Sequence, residues 1–152
     1  MRYLAIDYGA KRTGLAVCDA TESMAFPYGV LHGRKDLAKQ IARVVASENI
    51  EAIILGLPLN MDGSEGPQAK TVRSFAGELK SQIQVPIHFQ DERLSSFGAE
   101  QKLEEIGLSK GKKRERLDAL AAAEILQDFL EYKQSRRATG PPDAQGSGDV
   151  SP

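Results

Sequence analysis

Apolar residues in this chain fall first into short unbroken runs and then into helical stripes. Tyr3-Leu4-Ala5-Ile6 is continuously apolar and closes on Asp7, the pattern of a strand buried on both faces, predicted over Arg2–Asp7. Tyr8-Gly9-Ala10-Lys11-Arg12 reads as a glycine-containing turn, and Thr13–Asp19 as a second strand forming a hairpin with the first. Ala25–Leu31 carries Pro27 and Gly29 and reads as an edge strand, where an amide need not join the ladder. Over Lys35–Asn49 the apolar Leu37, Ile41, Val44 and Val45 share one helical face. Ala52–Gly56 is a short buried strand, and residues 57–66 are a loop rich in Gly, Pro and Asn. Pro67 then opens a helix to about Gln82, using the preference of proline for the first helical position. Val85–Gln90 is a further strand. Ser95 or Ser96 can cap a helix over about Phe97–Glu105. Ile106–Lys113 reads as a loop and Arg114–Lys133 as the last long helix.

The resulting order is β-β-β-α-β-α-β-α-α. A leading meander followed by βαβ crossovers predicts an α/β fold: a mixed five-stranded sheet with helices on its faces. Sites in such sheets gather at the carboxyl ends of strands, and Asp7, Gly56 and Glu92 all fall at such ends. Residues 1–134 are expected to form one domain. Residues 135–152 turn to Gly, Pro, Ser and Asp and read as a disordered tail.

Composition narrows the picture. A chain of 152 residues fits one domain, and 41% hydrophobic residues can supply a core; no Trp and only 6% aromatics make that core aliphatic. Twenty Lys and Arg against 21 Asp and Glu give a net charge of −1, so any contact with nucleic acid must use a local cationic surface. The single Cys18 excludes an internal disulfide and a multi-cysteine zinc site, and it reads as a buried structural residue. His32 and His88 have no metal-like spacing. No stretch approaches the roughly 20 apolar residues of a membrane span, so a cytoplasmic protein is expected.

Against that background three carboxylates stand out. Asp7 ends a buried strand. Glu92 ends another. Asp118 shares a helical face with Ala122, Ile125 and Phe129, at offsets of four, seven and eleven. An ionised carboxylate out of water is costly unless positive charge compensates it. Three of them at the ends of buried elements suggest one or two shared divalent cations. Each also has a plainer reading: Asp7 as a turn residue, Asp91-Glu92-Arg93 as a solvated charge run, Asp118 as a partner of the helix dipole. Alternation lets only one of Asp91 and Glu92 face Asp7, and the longer Glu92 is favoured. Lys11, Arg12, Asn60, Arg93 and the stretch Lys112, Lys113, Arg114 and Arg116 are candidate nucleic-acid contacts.

Four segments occur together. Ala5-Ile6-Asp7-Tyr8-Gly9-Ala10-Lys11-Arg12-Thr13-Gly14 is the first, and Gly56-Leu57-Pro58-Leu59-Asn60-Met61-Asp62-Gly63 the second. Asp91-Glu92-Arg93-Leu94-Ser95-Ser96 and Asp118-Ala119-Leu120-Ala121-Ala122-Ala123-Glu124 complete the set. Together they resemble the YqgF (RuvX-like) family over roughly Arg2–Tyr132. The resemblance implies a ribonuclease H-like fold and a nuclease discussed for 5′-end processing of pre-16S rRNA and as a relative of Holliday junction resolvases. It implies Mg²⁺ or Mn²⁺ held by Asp7, Glu92 and Asp118, with Asp91 in support. The implied partners are structured RNA or branched DNA, with a ribosome or pre-ribosome association and a monomer or homodimer. Two other readings remain: a nucleotide-binding phosphotransfer domain, since Asp-Tyr-Gly is similar to the phosphate loop of sugar kinases, and a non-catalytic RNA-binding factor.

Overall fold

The computed structural model describes residues 1–92 and 110–139, apart from the side chains of 110–112 and 137–139. Strands β1 (Tyr3–Asp7), β2 (Arg12–Cys18) and β3 (Ala25–His32) lead the chain. Helix α1 (Leu37–Ser47), strand β4 (Ala52–Leu57), helix α2 (Pro67–Lys80) and strand β5 (Ile87–Asp91) follow. Helix α3 (Lys110–Thr139) is the last described element. The strands form one sheet in the order β3-β2-β1-β4-β5. β1 pairs antiparallel with β2 and parallel with β4, so the sheet is mixed, as the strand pattern predicts. β3 lies at the edge, and its ladder with β2 shifts register between Leu15 and Ala16, opposite the Pro27 region.

Alternation along the strands creates two cores. Leu4, Ile6, Leu15, Ile53 and Leu55 point to the face covered by α1 and α2, where Leu37, Ile41, Phe75 and Leu79 meet them. Ala5, Ala16, Cys18 and Ile54 point to the other face, where Ala122, Ile125, Leu126 and Leu130 of α3 pack. Each fully buried Leu or Ile contributes about 1.5–3 kcal/mol. The second face is alanine-rich on both sides, so α3 sits close to the sheet.

The edges of several elements differ from expectation. α1 starts at Leu37, because Asp36 adopts a left-handed conformation with φ 56°. α3 starts at Lys110 inside the expected loop and continues through the first residues of the expected tail to Thr139. The first extension is mostly Lys and the second holds Gln134, Arg136, Arg137 and Ala138, all good helix formers; the charge run there is helical surface, not a loop. The helix predicted over Phe97–Glu105 and residues 140–152 lie outside the described residues. Cys18 is buried, its sulfur accepting the Tyr3 N–H at 3.3 Å, in keeping with a structural role.

Candidate active site

Asp7 is the last residue of the central strand, and glycines let two other elements reach it. Gly14 stands directly opposite Asp7 in the β1–β2 ladder. A Cβ at Gly14 would collide with the backbone carbonyl oxygen of Asp118, so its absence lets α3 touch the sheet at that residue. On the other flank, a Cβ at Gly56 of β4 would stand 2.6 Å from Glu92 Oε2 and 2.7 Å from Ile125 Cδ1. The Glu92 N–H donates to the Leu57 carbonyl at 3.2 Å, which fixes the end of β5 to the end of β4. Two glycine notches, one on each neighbour of β1, thus admit Asp118 and Glu92 to the surroundings of Asp7.

The electrostatics record this crowding. The Asp7 carboxyl is pushed up from 3.8 to about 6, first by burial and then by the charge of Asp118. Glu92 is pushed up from 4.5 to about 7, by burial, then Asp7, then Asp91. Asp118 is matched by a cation: Arg12 Nε donates to its Oδ2 at 2.5 Å. Asp91 is exposed at the end of β5, whereas Glu92 is half-buried and shares a cavity wall with Asp7. Among the described residues, no three His, Cys, Asp or Glu side chains stand close enough to hold one metal ion. The donors nonetheless suit a hard divalent cation, being carboxylate oxygens only. Burial raises both acids, and the charge of Asp118 adds to Asp7 as that of Asp7 adds to Glu92; a divalent ion would relieve this crowding. Asp118 is paired with Arg12 through Oδ2, a contact that competes with an ion for the same carboxylate.

The proposed nucleic-acid contacts are scattered. Lys11 is exposed in the β1–β2 turn, and its carbonyl accepts the Gly33 N–H at 2.8 Å. Arg12 is engaged by Asp118 and so is not simply presented to a phosphate. Asn60 Nδ2 donates to Ser64 Oγ at 2.9 Å and staples its own loop. Arg114 and Arg116 are exposed and Lys113 half-buried at the start of α3. Arg93 and the side chain of Lys112 lie outside the described residues. His88 stacks on Phe129 at 6.3 Å, as befits a structural residue.

Sequence reasoning missed a cavity of about 370 Å³ beside the two acids, lined by Asp7, Tyr8, Arg34, Gln68, Thr71 and Glu92 among others. Tyr8 stacks on Phe75 at 4.3 Å, and the Arg34 guanidinium lies 4.8 Å from the Tyr8 ring centre. Neither Arg34 nor Thr71 belongs to a motif or an apolar stripe, so no local signal marked them.

The sequence matches the family described as "RuvX: Holliday junction resolvase" over residues 1–132. The chain belongs to the RuvX family. A relative from Maridesulfovibrio salexigens is 40% identical over 132 residues, covering 86% of this chain and 98% of its own. One from Anaeromyxobacter sp. is 46% identical over 138 residues, covering 89% of this chain and 100% of its own. Both carry the name "Putative pre-16S rRNA nuclease". Among solved structures, T. thermophilus RuvC in complex with a Holliday junction substrate superposes with a TM-score of 0.57 at 16% identity, covering 88% of this chain and 96% of that one. A second T. thermophilus RuvC structure gives 0.55 at 15% identity, with coverage of 89% and 97%. At such identities the likeness is one of fold, and this RuvX-family chain has the ribonuclease H-like fold that the resemblance implies.

Proposed function

We propose that this protein is a divalent-metal-dependent endonuclease that cleaves phosphodiester bonds in the 5′ leader of pre-16S rRNA. The observation that carries the reading is the pair of half-buried carboxylates, Asp7 at the end of β1 and Glu92 just past the end of β5, both raised and both lining one open cavity. Burying carboxylates near one another costs stability, and a bound cation offsets that cost. The names of the relatives supply the substrate class.

Asp7, Glu92 and Asp118 would hold Mg²⁺ or Mn²⁺, as one or two ions. When bound, such an ion supplies charge stabilisation to the phosphoryl oxygens and acidifies water for attack. Asp7 and Glu92 must both be ionised to bind it, so their raised proton affinity makes metal loading weaker in mildly acidic solution. Gly14 and Gly56 set the spacing of the acids from the sheet. Arg12 holds Asp118 in the unloaded site and, once released, is a cation at hand for the substrate backbone. Lys11, Asn60, Arg93, Lys112, Lys113, Arg114 and Arg116 position the strand through its phosphates, which fixes register and not sequence. Asp91 supports Glu92 from the exposed side. No helix among the described residues is long and apolar enough to cross a membrane.

The test compares wild-type protein with Asp7→Asn, Glu92→Gln and Asp118→Asn on a 5′-leader RNA and on a four-way DNA junction, with Mg²⁺ or Mn²⁺. Loss of RNA cleavage in all three variants is expected. Undiminished cleavage in any two of them would refute the site. The description of the family favours a second reading, a Holliday junction resolvase. That activity requires two sites related by two-fold symmetry. Preference for the junction, together with a dimer in solution, would select it over the RNA enzyme.

A further inference from the structure

The cavity beside the acids has a cation that the proposed chemistry has not used. Arg34 sits between β3 and α1, far in sequence from the acidic motifs, yet it lines the same cavity as Asp7 and Glu92. Its guanidinium carbon lies over the Tyr8 ring, 4.8 Å from the ring centre, and that ring stacks on Phe75 at an interplanar angle of 13°. Tyr8, held by Phe75 of the buried core, is therefore a rigid support for the Arg34 cation. Cation–π contact of this kind leaves the in-plane N–H donors of arginine available. Among the described residues Arg34 is in no ion pair. A planar cation with unspent donors is the preferred partner of a phosphate oxygen pair.

The remainder of the cavity has a different chemistry. Pro58, Pro67 and Val72 give it apolar walls, and Gln68 and Thr71 add an amide and a hydroxyl from the first turns of α2. Its volume of about 370 Å³ is at the small end of the ~300–1,000 Å³ of small-molecule sites. That is room for one nucleotide and not for a base pair. Bases splayed out of a helix are recognised in this way, by apolar contact on the faces and hydrogen bonds at the edge.

We propose that this cavity is a subsite for one unpaired nucleotide of the substrate, flanking the scissile phosphate, with Arg34 binding that nucleotide's phosphate. The inference rests on the nuclease reading and deepens it: the enzyme selects a bond next to an unstacked residue, not one within a continuous duplex. Arg34 is then a substrate-binding residue, and Tyr8 positions it. Gln68 and Thr71 meet the sugar or the base edge.

Two measurements on the full chain test it. Uridine 5′-monophosphate is titrated into protein freed of divalent ions while backbone amide resonances are followed. Shifts should centre on Tyr8, Gly9, Gln68 and Thr71. Affinity should fall about tenfold or more, roughly 1.4 kcal/mol, in Arg34→Ala and in Thr71→Trp. The second substitution fills the cavity from an exposed helix position and so spares the core. Uridine without phosphate should bind more weakly to the wild type and be indifferent to Arg34→Ala. Shifts elsewhere on the surface, or equal affinity in the three proteins, would overturn the proposal. The second measurement is single-turnover cleavage of leader RNAs carrying one abasic residue at successive positions around the cut. Wild-type protein should slow at one position, and Thr71→Trp should lose that position dependence. A flat scan in a protein that cleaves overturns the subsite and leaves the nuclease reading standing. A protein that cleaves neither RNA nor junction overturns the nuclease reading, and the nucleotide titration alone then decides the subsite.

Discussion

Replacing Asp7 by asparagine is expected to stabilise the metal-free protein while destroying its proposed activity. The folded state holds the Asp7 proton with a pKa of about 6 in place of 3.8. A group raised in this way binds protons more tightly folded than unfolded. Its contribution to stability is therefore full below the unfolded value, is lost as pH rises through the folded one, and stays lost above it. The difference between those two values corresponds to about 3 kcal/mol at neutral pH. Solvent reaching the half-buried side chain trims this to roughly 2 kcal/mol. Asparagine keeps the shape and removes the charge, so the variant should gain that amount near pH 8 and almost nothing at about pH 4. For a chain of this size the gain is a rise in Tm of roughly 4–8 °C. Relief of Glu92, which Asp7 pushes up, works in the same direction. Urea and thermal denaturation with a chelator present, run at both pH values, measure the difference directly. An equal change at the two pH values, or a loss at the higher one, would refute the claim that charge crowding at this site is what the fold tolerates.

The remaining predictions concern the elements that build the site. Gly14→Ala should cost about 1–3 kcal/mol by overpacking against the Asp118 carbonyl. Gly29→Ala, whose added Cβ meets nothing within 4 Å, should stay within about 0.5 kcal/mol of the wild type by denaturant titration. Thr13 is fully buried and its hydroxyl has no hydrogen-bond partner among the described residues, so Thr13→Val should gain about 1 kcal/mol; a lower denaturation midpoint would show that the hydroxyl is satisfied. Arg12→Gln releases Asp118 from its ion pair and should tighten Mn²⁺ binding to the nucleic-acid-free protein by roughly tenfold. Electron paramagnetic resonance of free Mn²⁺ reads this, and unchanged affinity would mean that Arg12 does not compete with the ion.

The fold was legible because its signals are local and repeated. Continuous apolar runs mark β1 and β4, which are buried on both faces, and Pro27 marks β3 as an edge. Asp7 stood out as the end of such a run, and Glu92 as an acid directly after the alternating strand β5. Alternation left room for one of Asp91 and Glu92 beside Asp7, and reach favoured Glu92; in the structure Glu92 lines the cavity with Asp7, and Asp91 is exposed. The partner of Arg12 was not legible, because that contact joins residues 106 positions apart and two charges in sequence do not announce which will meet. Arg34 was invisible for a related reason: its meaning comes from the ring beneath it, and the ring's from Phe75 on α2. The sequence understates the length of α3 because a run of cations reads as a loop, although those residues favour a helix when one side is solvated.

The dependence of one sheet face on α3 has a consequence for synthesis. Among the described residues, the strand side chains Ala5, Ala16 and Ile54 are covered there by α3 alone. A chain leaves the ribosome amino end first, so the strands that carry Asp7 and Glu92 emerge well before the helix that carries Asp118. Until that helix docks, one side of the sheet is greasy and the proposed metal site lacks Asp118. Covering the apolar face and bringing Asp118 to the proposed site are thus the same event, and a product truncated before α3 would lack both.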